Sequence, residues 1–276
     1  MNWSPLFYSE HPLFYPISNT QDFFQSFAIW PSLSNYNQFL SAQNIQSKNN
    51  KPIHFVPQAE KPKTFEQRYE PRIFLTGEIQ TREHSWHDFF QVLIWNNFPK
   101  TKSTLNYLHY KAAVIRNSAI VSRKSTQSNR SPVENAITLF DECGSIVVSR
   151  NNDLLSLIKN AQWKELFWNN RARIQTDLKI FVFGHALYEK SLNPYIGMTS
   201  HSILLTATDS FFAKKLAHKL TYLDEEVSSL FAQGDIYSPK MLTPIPVLGY
   251  PEWHVDNKNE QFYGNKTYFR ETRHKP

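Results

Sequence analysis

The sequence predicts a mainly helical α+β fold, a single domain with a small β-sheet and an extended proline-rich C-terminal segment. Three observations lead to this class. Apolar residues recur at helical spacing in several segments, only a few short runs are β-like, and prolines punctuate PIPVLGYPEW at 244–253. With 41% hydrophobic residues among 276, the chain is long enough to bury a substantial core.

Two regions differ in composition. Residues 1–68 mix bulky aromatics with prolines and polar residues, which predicts an aromatic-rich N-terminal extension packed on the body, with a short helix at 20–29. Residues 42–64 lack apolar periodicity and predict a loop or an extension along the surface. The main α+β domain is predicted for 69–276.

The first half of the body predicts one strand and two helices. RIFLTGEI at 72–79 is typical of a strand that ends around Gly77. Helical spacing predicts a helix from Trp86 to Asn97, stopped by Pro99, and a second helix from about Ser103 to Asn117. Residues 117–130 are predicted to be a polar connector.

The second half begins with strong capping signals. An N-cap serine at Ser131, Pro132 at the first helical position and Glu134 predict a helix that runs to about Glu142 and ends at Gly144. The later elements are predicted from periodicity and turn residues: a strand at 145–149, two helices within 152–173, a segment at 179–184 that is either strand or helix, a helix at 186–192, a strand at 202–208, and helices at 209–220 and 224–233, the last closed by Gly234.

Composition excludes several kinds of protein. The seven glycines are too widely spaced for a phosphate-binding loop, so no nucleotide cofactor is expected. Cys143 is the only cysteine, which excludes a disulfide or a thiolate zinc cluster and leaves His, Asp, Glu or Asn as ligands for any metal. The absence of a signal peptide and of a long apolar run predicts a cytosolic protein without membrane contact.

The net charge of +6 permits an anionic partner without requiring one. Basic residues are more frequent between Lys111 and Arg130, but they form neither a dense stripe nor a known nucleic-acid motif. The sequence therefore argues against nucleic acid as the main partner.

Residues 81–109 carry the first candidate groups for chemistry. His87 and Asp88 stand at the start of the predicted helix, where His87 would be a general base oriented by a carboxylate or a metal ligand. On the following helix Lys102, Asn106 and His109 share one face. That face would either orient a substrate or simply meet water, and for this helix alone water is the simpler interpretation.

Two further clusters lie downstream. Asp141 and Glu142 end the capped helix, where the helix dipole disfavours carboxylates, so they would have a cationic or metal partner unless they are solvent-exposed. His185 and Glu189 are four residues apart and would point the same way on a helix, as a metal-binding pair or as a structural hydrogen bond. A nucleophilic Cys143 is disfavoured because the adjacent carboxylates would raise the pKa of its thiol.

Over about residues 69–270 the chain resembles the domain-of-unknown-function family 3025, a bacterial group. Ordered motifs carry the resemblance: Tyr69-Glu70-Pro71-Arg72-Ile73, Gly77, Thr81-Arg82, Trp86-His87-Asp88-Phe89-Phe90, Trp95, Phe98-Pro99, Lys102, Leu105-Asn106, His109, Leu139-Phe140-Asp141-Glu142, Gly144, Trp163, Gly184-His185-Ala186, Glu189, Pro194, Pro244-Ile245-Pro246-Val247-Leu248-Gly249, Trp253, Tyr263 and Phe269-Arg270. Gln91-Val92 departs from the family pattern, which has Asn-Ala there. The resemblance implies family membership, bacterial origin and one continuous domain, but no activity.

The leading hypothesis is a hydrolase with a His/carboxylate site, either metal-assisted or acting by general acid–base chemistry on a small-molecule or anionic substrate. Its candidate catalytic residues are His87, Asp88, His109, Asp141, Glu142, His185 and Glu189; Arg82, Lys102 and Asn106 would bind substrate, and His87, His109, His185 and Glu189 would hold a divalent metal. The competing hypothesis is a non-catalytic binding or scaffold protein whose polar clusters are structural. A third is weak nucleic-acid binding through 111–130 and the C-terminal tail.

Overall fold

The computed structural model describes residues 2–121 and 130–271. Helices dominate it. The α-helices in chain order are α1 (Phe7–Glu10), α2 (Gln21–Phe24), α3 (Leu33–Ser41), α4 (Tyr69–Thr76), α5 (Trp86–Asn97), α6 (Pro99–Val121), α7 (Pro132–Cys143), α8 (Asn152–Lys159), α9 (Arg171–Asp177), α10 (His185–Ser191), α11 (Asp209–Ala213) and α12 (Leu216–Gln233). A π-helical turn spans Glu165–Asn169, and 3₁₀ turns span Pro12–Thr20, Pro239–Met241, Val247–Gly249, Val255–Lys258 and Glu260–Gly264.

Two small sheets accompany the helices. The strands are β1 (His54–Pro57), β2 (Glu78–Thr81), β3 (Gly144–Ser149), β4 (Leu178–Val182), β5 (Thr199–Thr206) and β6 (Thr243–Pro246). β1 and β2 form a parallel pair, and the larger sheet has the order β4-β3-β5-β6. In that sheet β3 and β5 are parallel, while β4 and β6 run antiparallel to their neighbours. Every residue of β3 is buried, as expected for an inner strand covered on both faces. The α+β class is confirmed.

The predicted strand at 72–79 is wrong over most of its length. Residues 69–76 form α4, and only Glu78–Thr81 are extended, as β2. Pro71 lies in the first helical turn, where its missing N–H leaves no partner unpaired. Gly77 ends the helix in the left-handed conformation, at φ 80°, with its N–H donating to the Ile73 carbonyl.

The two helices predicted at 209–220 and 224–233 are divided differently in the structure. α11 ends at Ala213, and extended backbone at Lys214 and Lys215 separates it from α12. α12 then continues without interruption to Gln233, so the second half of the first prediction and the whole of the second belong to one helix. Gly234 closes α12 in the left-handed conformation, as predicted.

Several elements match their prediction closely. α5 has the predicted bounds, and α7 begins with a capping box between Ser131 and Glu134. The ambiguous segment at 179–184 is mainly the strand β4. Of the short helix predicted at 20–29, only Gln21–Phe24 are α-helical, as α2. The second helix, α6, is longer than predicted at both ends, because Pro99 starts it and it continues to Val121, into the predicted connector. Residues 122–129 of the predicted connector lie outside the described residues.

The N-terminal region contacts the body through aromatic rings. The ring centroids of Trp3 and Phe7 lie 5.1 and 5.2 Å from that of Trp86 at the start of α5, and Phe24 lies 5.0 Å from Phe89. These rings surround the first turn of α5 with apolar surface. The division at residue 68 stays a prediction. In the described part of the chain, no helix is long and apolar enough to cross a membrane.

Candidate functional site

Two histidines from distant parts of the sequence meet at the ends of two helices. His87 lies in the first turn of α5 and His185 begins α10. Their Nε2 atoms are 3.0 Å apart, and the rings are nearly perpendicular. Nδ1 of His87 lies 3.2 Å from a carboxylate oxygen of Glu189, and Nδ1 of His185 lies 3.9 Å from one of Asp141. Each imidazole therefore has a carboxylate on its Nδ1 side and the other imidazole on its Nε2 side.

A third donor, Glu142, faces the same point. Its Oε2 atom lies 3.7 Å from Nε2 of His185. One donor atom from each of His87, Glu142 and His185 lies within 4.8 Å of the other two. The metal ligands predicted from sequence share the two histidines with this group. Glu189 instead contacts the far side of His87, and His109 lines the adjoining cavity.

Gly184 makes this convergence sterically feasible. A Cβ atom there would lie 2.4 Å from the carbonyl oxygen of Glu142 and 2.6 Å from the amide nitrogen of Cys143. Only glycine permits such a close approach of two backbones. The start of α10 can therefore lie against the end of α7, which brings His185 next to Asp141 and Glu142.

Burial sets the protonation of this group. Loss of solvent lowers the pKa of His185 to about 3, and Asp141 only partly offsets that effect. The imidazole of His185 is therefore neutral at neutral pH, with a lone pair to share. Burial and the neighbouring Asp141 raise the pKa of Glu142. Nδ1 of His185 is buried and has no hydrogen-bond partner within the described residues.

The polar face of α6 is buried, so its interpretation as a water-exposed surface is wrong. Lys102 Nζ donates to Asp141 Oδ1 at 2.5 Å, and its side chain is only 6% exposed. The amide of Asn106 donates to the carboxylate and the backbone carbonyl of Glu70, at 2.7 and 3.0 Å. Although burial acts in the opposite direction, Lys102 and His185 hold the pKa of Asp141 below its usual range. Asp141 is thus an anion fixed between a lysine and an imidazole.

Arg82 and Asp88 form a separate pair beside the histidines. Nε and Nη2 of Arg82 donate to the two carboxylate oxygens of Asp88 at 3.1 and 2.8 Å, and the Arg82 backbone N–H donates to Asp88 at 2.6 Å. This bidentate contact fixes both side chains. It occupies Asp88, which therefore contacts Arg82 rather than His87.

A cavity of about 440 Å³ connects these groups. It is lined by residues predicted from the sequence, namely Arg82, His87, Asp88, His109, Asp141, Glu142 and His185. Lys102 and Asn106 instead line a much smaller void of about 10 Å³ beneath it, together with His109 and Asp141. The side chains of His87 and Glu142 are 25% and 41% exposed, so the group at the cavity floor is reached from outside.

Sequence reasoning missed several lining residues. Tyr69 donates its hydroxyl proton to the amide oxygen of Gln91 at 2.8 Å, and Arg68 and Glu70 flank Tyr69 in the chain. Among the other missed lining residues are Arg116, Arg130 and Glu134. Tyr69 and Glu70 belong to a motif shared with the resembled family, and that was the signal available for finding them.

The chain belongs to the family described as "Protein of unknown function (DUF3025)", whose sequence profile matches residues 53–273. The match covers most of the chain and confirms the resemblance seen in the ordered motifs. Neither the search of curated proteins nor the search of solved structures found a match.

Proposed function

We propose that this member of the family is a metal-dependent hydrolase in which His87, His185 and Glu142 bind a zinc-like divalent ion. The convergence of these three donors on the floor of an open cavity carries the proposal. Catalytic zinc sites commonly have three protein ligands of this kind, such as two histidines and a glutamate, and leave the fourth position to water. A structural site would use four protein ligands.

The distances fit a bound metal after a small adjustment. Two nitrogens at tetrahedral positions, each about 2.1 Å from Zn²⁺, are about 3.4 Å apart. The two Nε2 atoms are 3.0 Å apart, which is also a hydrogen-bond distance, and Glu142 lies 3.7 Å from one of them. An ion between the imidazoles would require their nitrogens to separate by about 0.4 Å.

The carboxylates behind the imidazoles also support it. A metal-bound histidine usually donates its other N–H to a carboxylate, which fixes the tautomer and makes the ring a better ligand. Glu189 does this for His87, and Asp141 is placed to do so for His185. Asp141 and Glu189 thus act as orienting groups, while Glu142 is the anionic ligand.

The chemistry of such a site is hydrolysis. A zinc-bound water has a pKa near 7, so hydroxide is available at neutral pH. A metal held by His87, His185 and Glu142 would supply this hydroxide for attack on a carbonyl or phosphoryl group. His109, which lines the same cavity, would take up the proton of the attacking water and return it to the leaving group.

The scaffold hypothesis fits the structure less well. Lys102 with Asp141 and Asn106 with Glu70 are enclosed and hydrogen-bonded through their donors, as structural networks are. Glu142, Glu189 and His87 are instead partly exposed, and Glu142 and His87 line the open cavity. These features favour a site that takes a ligand.

Elemental analysis of the purified protein tests the metal. We expect about one equivalent of zinc or a similar ion in the wild type and in His218→Gln, a control at an exposed histidine of α12. Glu142→Gln and His185→Gln should lose it. A wild type that neither carries metal nor binds added Zn²⁺ in calorimetry would contradict the proposal, as would variants that retain the metal.

Turnover tests the reaction. The zinc-loaded wild type should hydrolyse p-nitrophenyl acetate or p-nitrophenyl phosphate faster than Glu142→Gln. Iron at the same stoichiometry would retain the site but contradict the hydrolytic assignment, because two histidines and a carboxylate also form the iron(II) site of oxygenases.

A further inference from the structure

Three of the five described carboxylates that line the cavity are paired with a cation. Asp88 is paired with Arg82, Asp141 with Lys102, and Glu134 with Arg116. These pairs contribute little net charge to a ligand that enters the cavity.

Two arginines of the cavity remain without such a partner. Arg68 and Arg130 are exposed, and neither makes an ion pair within residues 2–121 and 130–271. The guanidinium of Arg68 lies over the Phe65 ring at 5.6 Å, and Nη1 of Arg130 donates to the Thr138 hydroxyl at 3.3 Å. These contacts engage only part of each guanidinium and leave several N–H donors available to a ligand.

The net charge of the groups that line the cavity is therefore positive once a divalent ion is bound. Glu142 compensates one charge of that ion, and the carboxylate of Glu70, which accepts from the neutral amide of Asn106, compensates one arginine. The metal group and the two exposed arginines line the same cavity. The arginines are not part of the metal group, so they offer positive charge to a second group of a ligand.

We infer that the substrate is a small molecule with an anionic group, a carboxylate or phosphate, separate from its hydrolysable bond. Arg68 and Arg130 bind that group while the bond reaches the metal. This inference rests on the proposed function. It assigns recognition of the anionic group to Arg68 and Arg130. The sequence predicted Arg82 and Lys102 for this role, but each is engaged by a carboxylate, and Lys102 is buried below the cavity.

A matched pair of metal-binding probes tests the inference without knowledge of the substrate. Benzohydroxamic acid and 4-carboxybenzohydroxamic acid carry the same zinc-binding group, and only the second has an anionic arm. Their affinities for the zinc-loaded protein are measured by calorimetry, for the wild type, for Arg68→Gln/Arg130→Gln, and for Arg173→Gln. Arg173 is an exposed arginine outside the cavity, paired with Asp153, and serves as the control.

We expect the carboxylated probe to bind the wild type and the control about tenfold more tightly than the neutral probe, a ratio equivalent to about 1.4 kcal/mol. This preference should disappear in the double variant and shrink with added salt. Equal affinities in the wild type, or an unchanged preference in the double variant, would overturn the inference while leaving the metal site intact. A protein that binds no Zn²⁺ would instead overturn the proposed function itself.

Discussion

Gly184→Ala is the substitution that most directly tests how the site is assembled. The backbone at Gly184 has φ −63° and ψ 119°, which alanine adopts without strain. The cost is therefore steric. The new Cβ would lie 2.4 Å from the Glu142 carbonyl oxygen, whereas real Cβ contacts are at least 3.0 Å. Because the contact is with backbone, α10 and α7 must separate by about 0.6 Å, the difference between those distances.

Such forced separation has two expected consequences. Overpacking of this kind costs about 1 to 3 kcal/mol of unfolding free energy. The same movement shifts His185 relative to Glu142, so we expect zinc affinity to fall by roughly 10- to 100-fold, as for a disturbed ligand environment. Urea denaturation measures the first effect, and calorimetric titration with Zn²⁺ measures the second.

Gly264→Ala is the matched control. A Cβ atom at Gly264 meets nothing within 4 Å. Both substitutions reduce the entropy of the unfolded chain similarly, so the difference between them isolates the close approach at Gly184. We expect Gly264→Ala to change stability by no more than about 0.5 kcal/mol. If Gly184→Ala matched this control in both stability and zinc affinity, the reasoning from backbone contact would be refuted.

Three further substitutions probe the neighbouring groups. Glu189→Ala removes the carboxylate behind His87, and we expect zinc affinity to fall about 10- to 100-fold in calorimetry, while unchanged affinity would deny Glu189 its orienting role. Lys102→Met leaves Asp141 as an unpaired, largely buried anion, so urea denaturation should show a loss of about 3 to 5 kcal/mol; a loss below about 1 kcal/mol would mean that the pair is solvated. Burial acts to raise the pKa of Glu134, but hydrogen bonds from Ser131 and Arg116 outweigh it and lower that pKa below 4.5. The ionised carboxylate therefore stabilises the folded state. This stabilisation is complete above the unfolded-state pKa and is lost as the pH falls through the folded-state pKa. Below pH 4.5 the unfolding free energy should therefore fall less steeply in Glu134→Gln than in the wild type, and equal slopes would contradict this.

Elements defined by local signals were predictable from the sequence. The helix α7 needs only Ser131, Pro132 and Glu134 to specify its start, and both hydrogen bonds of the expected capping box are present. These interactions join residues three positions apart, so no knowledge of the tertiary fold is required. The same holds for Gly234, whose left-handed conformation ends α12.

Elements that depend on burial were not predictable. Ile73, Phe74 and Leu75 form an apolar run that suits a strand, and a run this short carries no periodicity to distinguish it from a helix. The aromatic stack decides between them: the Phe74 ring lies 4.1 Å from that of Tyr110 on α6. A contact between residues so distant in sequence is invisible to any local pattern.

The sequence predicted which residues belong to the candidate site, but not which of them contact each other. His185 and Glu189 were expected to point the same way, as a metal-binding or hydrogen-bonded pair, because they are four residues apart on a helix. The structure pairs Glu189 with His87, which is 102 positions away in the chain, and turns His185 towards Asp141 and Glu142. Spacing identifies residues on one face, whereas the packing of α10 against both α5 and α7 decides which partner each one finds.

The local costs of this arrangement bear on its purpose. Asp141 and Glu142 lie at the C-terminal end of α7, where the helix dipole disfavours negative charge by about 0.3 to 1 kcal/mol each and no basic residue of the last turn offsets it. The buried pair of Lys102 with Asp141 is rarely more stable than apolar side chains of the same volume. These two costs have different physical origins and fall on adjacent residues, Asp141 and Glu142. They are expected if a cation binds between His87, His185 and Glu142, as we propose, because the carboxylate charge then contributes to its binding.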